Sequence, residues 1–474
     1  MDEVDCVKYL NPLTVDAKIF LNSMQNLENT SNEVDVHLIQ TLEEIVASID
    51  KFLEQKLSPI VATKNTELID PQEINQIIRV FHCSECRVDL GKTAEKAAIH
   101  LVDGHKVRTQ DTKLKRRNER EKRPPIVIKL PKKASALLRT DLSKYFIEHI
   151  LISEKLKRLP EYDVIEKELS TLIKPLFPEQ SVKIYKFGSR ITGIGTSNSD
   201  LDLYVDIGNI FSKFENRAST ETLQNLGSVC NILKKNTNDW KYLVAIKGAR
   251  VPILKVCHSA TGIDCDIGFS NSLGPCNSKL MEYLFELQPM ARRMCLFLKK
   301  WLQRSKMTEA ISTYSISLMV IYFLQIKRYL PSIEKLQYGL IKPVYIGPWI
   351  INFKYQKLKD FNMETVEVGD ENSILCIKNF FEFYTKFDFD ENAVCPYLGK
   401  IIDNAHIEEE MPQRYHVYVQ NTSDPADKDC SLQSKKCMVV QDPIQLNHNV
   451  SKGVSPNVLK MLIGYFKQSF EQIA

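Results

Sequence analysis

Two aspartates, Asp200 and Asp202, stand two residues apart in an apolar run that also contains Leu201 and Leu203. The two-residue period of a β-strand places both carboxylates on one face and both leucines on the other. Neighbouring carboxylates repel each other unless a cation neutralises them, and Mg²⁺ or Mn²⁺ prefers such oxygen ligands. The pattern therefore predicts a divalent-metal site on a strand.

A glycine-containing turn, Gly188–Ser189, comes shortly before the aspartate pair and follows a predicted strand. Glycine allows backbone N–H groups to approach a phosphate closely. Such a turn beside two carboxylates indicates phosphoryl or nucleotidyl transfer with two metal ions. The competing interpretation is an aspartate-rich turn that enters an edge strand and binds no metal.

These residues resemble the signature of the DNA polymerase β-type nucleotidyltransferases, and within them that of the non-canonical poly(A) polymerases and terminal uridylyltransferases. That family carries a third carboxylate on a neighbouring strand, and the segment 265–271, CDIGFSN, matches its pattern. The resemblance assigns this role to Asp266, while Asp264 and Asp206 are weaker competitors. It implies that the three catalytic aspartates hold two Mg²⁺ or Mn²⁺ ions and that Asp266 binds the ion that activates an RNA 3′-hydroxyl.

The same resemblance implies a set of nucleotide-binding residues. These are Gly188, Ser189, Asn271, Asn277, Ser278, Lys299, Gln303, Thr313, Tyr314, Asp442, Gln445 and His448. Lys299 matches a lysine that contacts the triphosphate, and Gln303 stands one turn on, where a second lysine is usual; Arg304 beside it could take over that task. Tyr314 matches the aromatic residue on which the base stacks.

The segment 441–450 is similar to the family segment that lines the base pocket. His448 occupies the position of a histidine found in uridylyltransferases, and Asp442 is expected to orient it. Gln445 stands where a glutamate is common, which removes a charge. Because a purine would collide where a pyrimidine fits, pocket contacts set the choice of base. The resemblance therefore implies transfer of UMP from UTP to an RNA 3′ end. Adenylyl transfer and a catalytically inactive RNA-binding protein are the alternatives.

A second motif combines Cys83-x2-Cys86 with His100-x4-His105, separated by thirteen residues. Two thiolates and two imidazoles at this spacing can close a tetrahedral Zn²⁺ site. The motif resembles a C2H2 zinc finger. Its role is open between a structural or protein contact and RNA binding, since a single finger rarely gives sequence-specific DNA binding.

A basic segment follows the finger, and it ends in prolines. Its clustered cations are Lys113, Lys115, Arg116, Arg117, Arg120, Lys122 and Arg123. A solvated linker and an arm or nuclear signal that binds a polyanion are equally compatible with it. Arg250 and Lys255 are weaker candidates for contacts with an RNA backbone.

These segments predict an α+β fold in which a mixed-sheet nucleotidyltransferase palm packs against a mainly helical poly(A) polymerase-associated domain. The predicted order is a helical N-terminal region (1–75), a zinc finger (76–108), a basic linker (109–137), the palm (138–284) and the helical domain (285–474). The helix expected over 138–157 packs with the helical domain. Aromatic residues at 380–384 are expected to pack inside it. The N-terminal region is a candidate contact for a protein partner.

The composition limits the remaining possibilities. A net charge of +4 is too small to define a partner by itself. Because no run of about 18 apolar residues occurs, no membrane span is predicted. The 12 cysteines lack the spacing of a disulfide framework, which favours a reducing compartment. We expect a cytoplasmic protein, with the nucleus as the alternative.

Overall fold

The computed structural model describes residues 128–270, 272–422 and 430–473. The N-terminal helical region, the zinc-finger motif with Cys83, Cys86, His100 and His105, and most of the basic linker lie outside these residues, as does Asn271. The predictions made for them therefore remain predictions.

A five-stranded mixed sheet forms the palm. Its strands are β1 (Val182–Phe187), β2 (Leu201–Ile207), β3 (Trp240–Ile246), β4 (Ile253–His258) and β5 (Ile263–Gly268). Their order across the sheet is β1-β2-β5-β4-β3. β2 and β5 run parallel with Asp202 opposite Asp266, and the other neighbouring strands are antiparallel. The mixed sheet expected from the sequence is confirmed.

Helices cover one face of this sheet. The palm helices are α3 (Glu161–Ile173), α4 (Ser189–Thr192) and α5 (Thr220–Lys235). In α3 the buried residues Ile165, Leu169 and Ile173 recur every four positions, so they form one apolar stripe. This stripe joins Leu201 and Leu203 in the palm core. The leucines of the aspartate pair thus face the core, as their alternation predicts.

The second part of the fold is mainly helical. Its helices are α1 (Lys132–Leu138), α2 (Leu142–Lys157), α6 (Leu273–Leu287), α7 (Pro289–Arg304), α8 (Thr313–Ile326), α9 (Ile333–Gln337), α10 (Asp370–Lys386), α11 (Gln413–Asn421) and α12 (Pro456–Gln472). Short 3₁₀ turns cover Lys174–Leu176 and Leu358–Phe361, and a two-stranded ladder pairs β6 (Tyr345–Ile346) with β7 (Trp349–Ile350).

Aromatic packing holds this helical part together. The ring of Trp301 on α7 stacks on Phe466 of α12 with centroids 5.4 Å apart. Phe380, Phe381 and Tyr384 of α10 are fully buried in the same cluster. The indole N–H of Trp301 donates to Ser469 Oγ at 2.9 Å, which satisfies its polar group inside the core. The aromatic residues of 380–384 therefore include core residues, as the sequence predicts.

The helix expected over 138–157 begins later, at Leu142. Asp141 is its N-cap, and its carboxylate accepts hydrogen bonds from the backbone N–H groups of Ser143 and Lys144. An N-cap aspartate satisfies orphan backbone donors and therefore sets the start of a helix. The residues just before it form α1, within the segment assigned to the linker. Both helices pack against α7.

The segment 128–130 contacts α12, near the other end of the described residues. The side-chain amide of Gln468 on α12 donates to the carbonyl of Ile128 at 2.7 Å, and its oxygen accepts from the N–H of Leu130 at 2.9 Å. Within the described residues, no helix has the length and apolarity that a membrane crossing needs.

Candidate active site

A cavity of about 700 Å³ is lined by residues of both the palm and the helical part. The sequence-predicted residues that line it are Gly188, Ser189, Asp202, Arg250, Asn277, Ser278, Lys299, Thr313, Tyr314, Asp442, Gln445 and His448. Segments far apart in the sequence therefore meet at one site. The cavity has a carboxylate end at Asp202 of β2, beside β5, and a second end formed by α6, α8 and the segment after 440. We call this second end the base end, after the role that the resemblance predicts for it.

At the carboxylate end, three aspartates lie on neighbouring strands. Asp202 on β2 stands opposite Asp266 on β5, and Asp200 directly precedes β2. Lys255 on β4 is opposite Asp266, and its Nζ donates to both carboxylate oxygens of that residue at 2.9 and 2.8 Å. The same amine lies 3.5 Å from Asp200 Oδ2. Lys255, predicted as an RNA contact, thus sits against the carboxylates.

The electrostatics of this end favour a bound cation. Burial and the neighbouring charges of Asp266 and Asp200 raise the pKa of Asp202 to about 7. Burial also raises the pKa of Asp266, although its bond to Lys255 opposes that change. A hard divalent ion with carboxylate ligands would relieve both penalties.

The side chains of the three aspartates do not yet converge on a common point where an ion could bind. Among the residues that the structure describes, no three histidine, cysteine or acidic side chains converge closely enough to hold an ion. The amine of Lys255 lies between two of the three candidate carboxylates. The donor set fits Mg²⁺ or Mn²⁺ by chemistry, and its members need side-chain rotation to share an ion.

Asp206 and Asp264, the alternatives to Asp266 as the third carboxylate, have different surroundings. Asp206 is buried, and its Oδ1 accepts the N–H of Ile210 at 2.8 Å, just after β2 ends. Asp264 is exposed and interacts with the thiol of Cys257. Neither stands opposite Asp202 in the strand register. The register thus pairs Asp202 with Asp266, the residue that the resemblance selects.

The turn before α4 packs directly on this site. Gly188 has a φ of 81°, and a Cβ atom there would lie 1.8 Å from Asp202 Oδ2. A side chain at this position would therefore clash with a predicted metal ligand. The N–H of Gly188 donates to Ser278 Oγ on α6 at 2.9 Å. Glycine is required here by both the backbone conformation and the close approach.

Lys299 of α7 lies between the two ends. Its Nζ donates to Ser199 Oγ at 2.8 Å and to the carbonyl of Ile194 at 3.2 Å. Burial lowers its pKa to about 8, while the charge of Asp202 opposes that change. The next predicted residue, Gln303, is exposed and does not line the cavity, and Arg304 lines a separate surface groove.

Asp442 organises the base end. Its Oδ2 accepts hydrogen bonds from Asn277 Nδ2 at 2.9 Å and from the Tyr314 hydroxyl at 3.1 Å. Its Oδ1 accepts the backbone N–H groups of Ile444 and Gln445 at 2.9 and 2.7 Å. Burial raises the pKa of Asp442, and these four bonds oppose that change. The carboxylate therefore fixes both the aromatic ring and the following loop.

His448 lies on that loop, and Asp442 positions it through the backbone. The N–H of Asp442 donates to the His448 carbonyl at 2.9 Å, and the N–H of His448 donates to the Gln445 carbonyl at 2.8 Å. The imidazole instead meets Arg250, whose Nη1 is 2.5 Å from Nδ1. Asp442 thus contacts His448 through the backbone, whereas the contact of the imidazole ring with Arg250 comes from the palm.

Asn216 has no sequence signal that points to this site. Its carbonyl accepts Arg250 Nε at 3.3 Å, and its Oδ1 accepts Arg250 Nη2 at 3.1 Å. The residue lies in the loop between β2 and α5, outside the motifs that resemble the family. Its position behind Arg250 is visible only in the fold.

A mixed sheet with three carboxylates on neighbouring strands, facing a helical part across a cavity, defines a nucleotidyltransferase palm. Residues 146–286 match the family described as "Poly(A) RNA polymerase, mitochondrial-like, central palm domain". Over those residues the chain is similar to the palm of this family. The family suggested by the sequence motifs is thereby confirmed.

Relatives of both nucleotide preferences are similar to this chain. Human (Homo sapiens) Terminal uridylyltransferase 7 is 23% identical over 312 residues, which cover 64% of this chain and 19% of that protein. The mitochondrial Poly(A) RNA polymerase of Mus musculus is 23% identical over 373 residues, covering 67% and 57%. The chain thus matches less than two thirds of the length of either protein.

A solved structure supports the fold. The crystal structure of mtPAP in complex with UTP superimposes with a TM-score of 0.55 at 20% identity, covering 74% of this chain and 72% of that one. This likeness shows a shared arrangement of palm and helical part.

Proposed function

We propose that this protein is a template-independent RNA nucleotidyltransferase that adds UMP from UTP to RNA 3′ ends by a two-metal mechanism. The observation that carries the proposal is the cavity itself. It joins Asp202 on β2, which stands opposite Asp266 on β5, to the half-buried Tyr314, Asn277 and His448 at the other end. The similarity to terminal uridylyltransferases and poly(A) polymerases supports the reaction class.

In this mechanism Asp200, Asp202 and Asp266 would hold two Mg²⁺ or Mn²⁺ ions. Bound ions of this kind lower the pKa of an attacking hydroxyl and neutralise the charge on the leaving pyrophosphate. Asp266 is the proposed acceptor for the proton of the RNA 3′-hydroxyl as its oxygen attacks the α-phosphorus. The bond between the α-phosphorus and the bridging oxygen breaks, and pyrophosphate leaves.

Lys299 and the Gly188–Ser189 turn complete the phosphate end. The Lys299 amine is held by Ser199 and the Ile194 carbonyl at the cavity wall, where it can pair with a triphosphate. Catalysis then rests on positioning and on stabilising charge, so no covalent intermediate is required.

The base end supports uridine. Tyr314 offers a face for stacking, and Asp442 holds its hydroxyl and the Asn277 amide in fixed positions. His448 occupies part of the same cavity, which a pyrimidine can share more easily than a purine. A pocket that excludes by size and hydrogen bonding sets base choice in this way.

Adenylyl transfer is the second candidate. The family that matches residues 146–286 is the mitochondrial-like poly(A) RNA polymerase palm, and Gln445 is neutral where a glutamate is common. If this candidate is correct, replacement of His448 leaves activity with ATP unchanged. A catalytically inactive RNA-binding protein is disfavoured because all three aspartates are present.

Primer extension tests these alternatives. Full-length protein is incubated with a short labelled RNA, Mg²⁺ or Mn²⁺, and each nucleoside triphosphate in turn. The Asp200→Ala/Asp202→Ala variant is the matched control. Extension with UTP that disappears in the control supports uridylyl transfer. Extension with ATP alone contradicts uridylyl transfer and favours adenylyl transfer. If no nucleotide gives extension or pyrophosphate release, both candidates are contradicted.

We also propose that Cys83, Cys86, His100 and His105 bind Zn²⁺ and that the finger and basic segment deliver RNA to a cytoplasmic enzyme. Zinc content measured by mass spectrometry should be one ion per chain and should fall in Cys83→Ser. RNA affinity measured beside it separates delivery from a purely structural finger, because only delivery predicts weaker RNA binding in Cys83→Ser with unchanged UTP affinity.

A further inference from the structure

A hydrogen bond joins the palm to the loop that carries His448. Arg250 lies in the loop between β3 and β4, and its Nη1 is 2.5 Å from His448 Nδ1, 198 residues away in the chain. Both residues are half-buried and line the cavity. The contact therefore connects a palm residue to the imidazole that lies in the proposed base pocket.

The chemistry of the two groups fixes the direction of this bond. A guanidinium group has five N–H donors and no acceptor, and it stays protonated in proteins. Nδ1 of His448 must therefore be the acceptor and carry no proton. A neutral imidazole that accepts at Nδ1 carries its single proton on Nε2.

The guanidinium is held on its other sides by Asn216. Nε donates to the Asn216 carbonyl at 3.3 Å, and Nη2 donates to its side-chain oxygen at 3.1 Å. A planar group that bonds in three directions keeps a fixed orientation. The donor that reaches His448 is therefore set in place before any nucleotide binds.

We propose that Arg250 is a positioning residue for base specificity, which fixes His448 as the Nε2–H tautomer so that the ring offers a donor to the base. This inference rests on the proposed function. Uracil presents a carbonyl acceptor at the edge where cytosine and adenine present amino donors. A donor at Nε2 therefore favours uracil over cytosine, two bases of the same size that steric exclusion alone does not separate.

The same logic predicts a reversal. A carboxylate at position 250 can only accept a hydrogen bond, so it would draw the proton to Nδ1 and leave Nε2 as an acceptor. Arg250→Glu should therefore shift preference from uracil toward bases with an amino group. Arg250→Met removes the bond without imposing the opposite tautomer.

Nuclear magnetic resonance of histidine-labelled full-length protein tests the tautomer directly. The ¹⁵N signals of His448 are identified by their loss in His448→Asn, and they are recorded at about pH 8, above the ordinary histidine pKa of about 6.5. The expected wild-type spectrum shows an unprotonated Nδ1 and a protonated Nε2, and Arg250→Glu shows the reverse. A wild-type Nδ1–H tautomer, or an unchanged spectrum in Arg250→Glu, would overturn the proposal.

Nucleotide choice tests the consequence. The ratio of kcat/KM for UTP to that for CTP should fall about two- to tenfold in Arg250→Met, the net worth of one hydrogen bond. Arg250→Glu should lower it further, and Arg250→Lys should restore part of it. Lys247→Gln removes a charge from an exposed position of the same loop and should leave the ratio unchanged.

Two results separate this inference from its premise. An equal loss with every nucleotide in Arg250→Met, measured on protein with a wild-type melting temperature, would contradict the specificity role and indicate an RNA or phosphate contact. If the wild-type protein used ATP instead, the proposed function would fail, while the tautomer spectrum would still decide whether Arg250 controls His448.

Discussion

The two ends of the cavity hold buried carboxylates in opposite ways. At the base end, Asp442 receives four hydrogen bonds from groups of the protein itself. At the carboxylate end, Asp202 faces the charges of Asp200 and Asp266, and its pKa rises to about 7. The Asp442 carboxylate is thus satisfied without a ligand, whereas the carboxylate end leaves charge for a ligand to neutralise.

This difference separates recognition from chemistry. Hydrogen bonds that are already formed hold the groups of the proposed base pocket in place, so little ordering is required when a nucleotide binds. Carboxylates that repel each other gain most when a divalent cation arrives. The same cavity therefore combines a rigid binding surface with a site that is electrostatically unfavourable by itself.

The largest effect is expected from Asp202→Asn. It removes a proposed metal ligand and should lower kcat for nucleotide addition by about a thousandfold or more. Because it also removes a repelled charge, the metal-free protein should melt at a higher temperature than the wild type. Pyrophosphate release and differential scanning calorimetry measure the two effects. A lower melting temperature would contradict the contrast between the two ends.

At the base end, Asp442→Asn should lower stability, unlike Asp202→Asn, and should affect KM more than kcat. An asparagine has one oxygen, and its amide donors would face groups that are themselves donors. The free energy of unfolding should fall by about 1–3 kcal/mol, the cost of unsatisfied buried groups. The KM for the nucleotide should rise more than kcat falls, since the residue holds Tyr314 and Asn277. Urea denaturation and steady-state kinetics are the measurements, and an unchanged stability would contradict the argument.

The lowered pKa of Lys299 predicts that the KM for the nucleotide and the stability of the protein change with pH. Its lowered pKa of about 8 means that the amine loses its proton above that pH, so the KM for the nucleotide should rise there. The unfolded chain still binds this proton up to its ordinary pKa, so the contribution of Lys299 to stability should improve as pH rises from about 8 to 10.5. Lys299→Arg should flatten the KM profile, and a rise that persists in this variant would assign the titration to another group.

The smallest effect belongs to Gln303. Because its side chain is exposed and lies outside the cavity, Gln303→Ala should change the KM for the nucleotide by less than about twofold, as expected for surface substitutions. Lys299→Ala, one turn earlier on the same helix, is the positive comparison. An equal loss in both variants would show that the cavity extends along α7 in the working enzyme.

The carboxylate end was predictable because its signal is local. The strand period orients Asp200 and Asp202, and the flanking residues of Asp266 single it out from Asp264. The base end depends on distant segments, and its histidine was found through resemblance. Arg250 and Asn216 could not be assigned to His448, since no sequence spacing encodes a contact between loops 198 residues apart. Gln303 lies outside the cavity because one helical turn moves a side chain about 6 Å along the axis.

The hydrogen bonds between Gln468 and the segment 128–130 span 338 and 340 residues of sequence. The palm core, in contrast, comes from one continuous stretch between Leu159 and Phe269. Contacts between distant residues form slowly, and domains fold as units during synthesis. The palm can therefore fold while the ribosome is still making the rest of the chain. The helical part cannot complete its fold until α12 has been made. During refolding, pulse-labelled hydrogen exchange should therefore detect protection of the palm strands first.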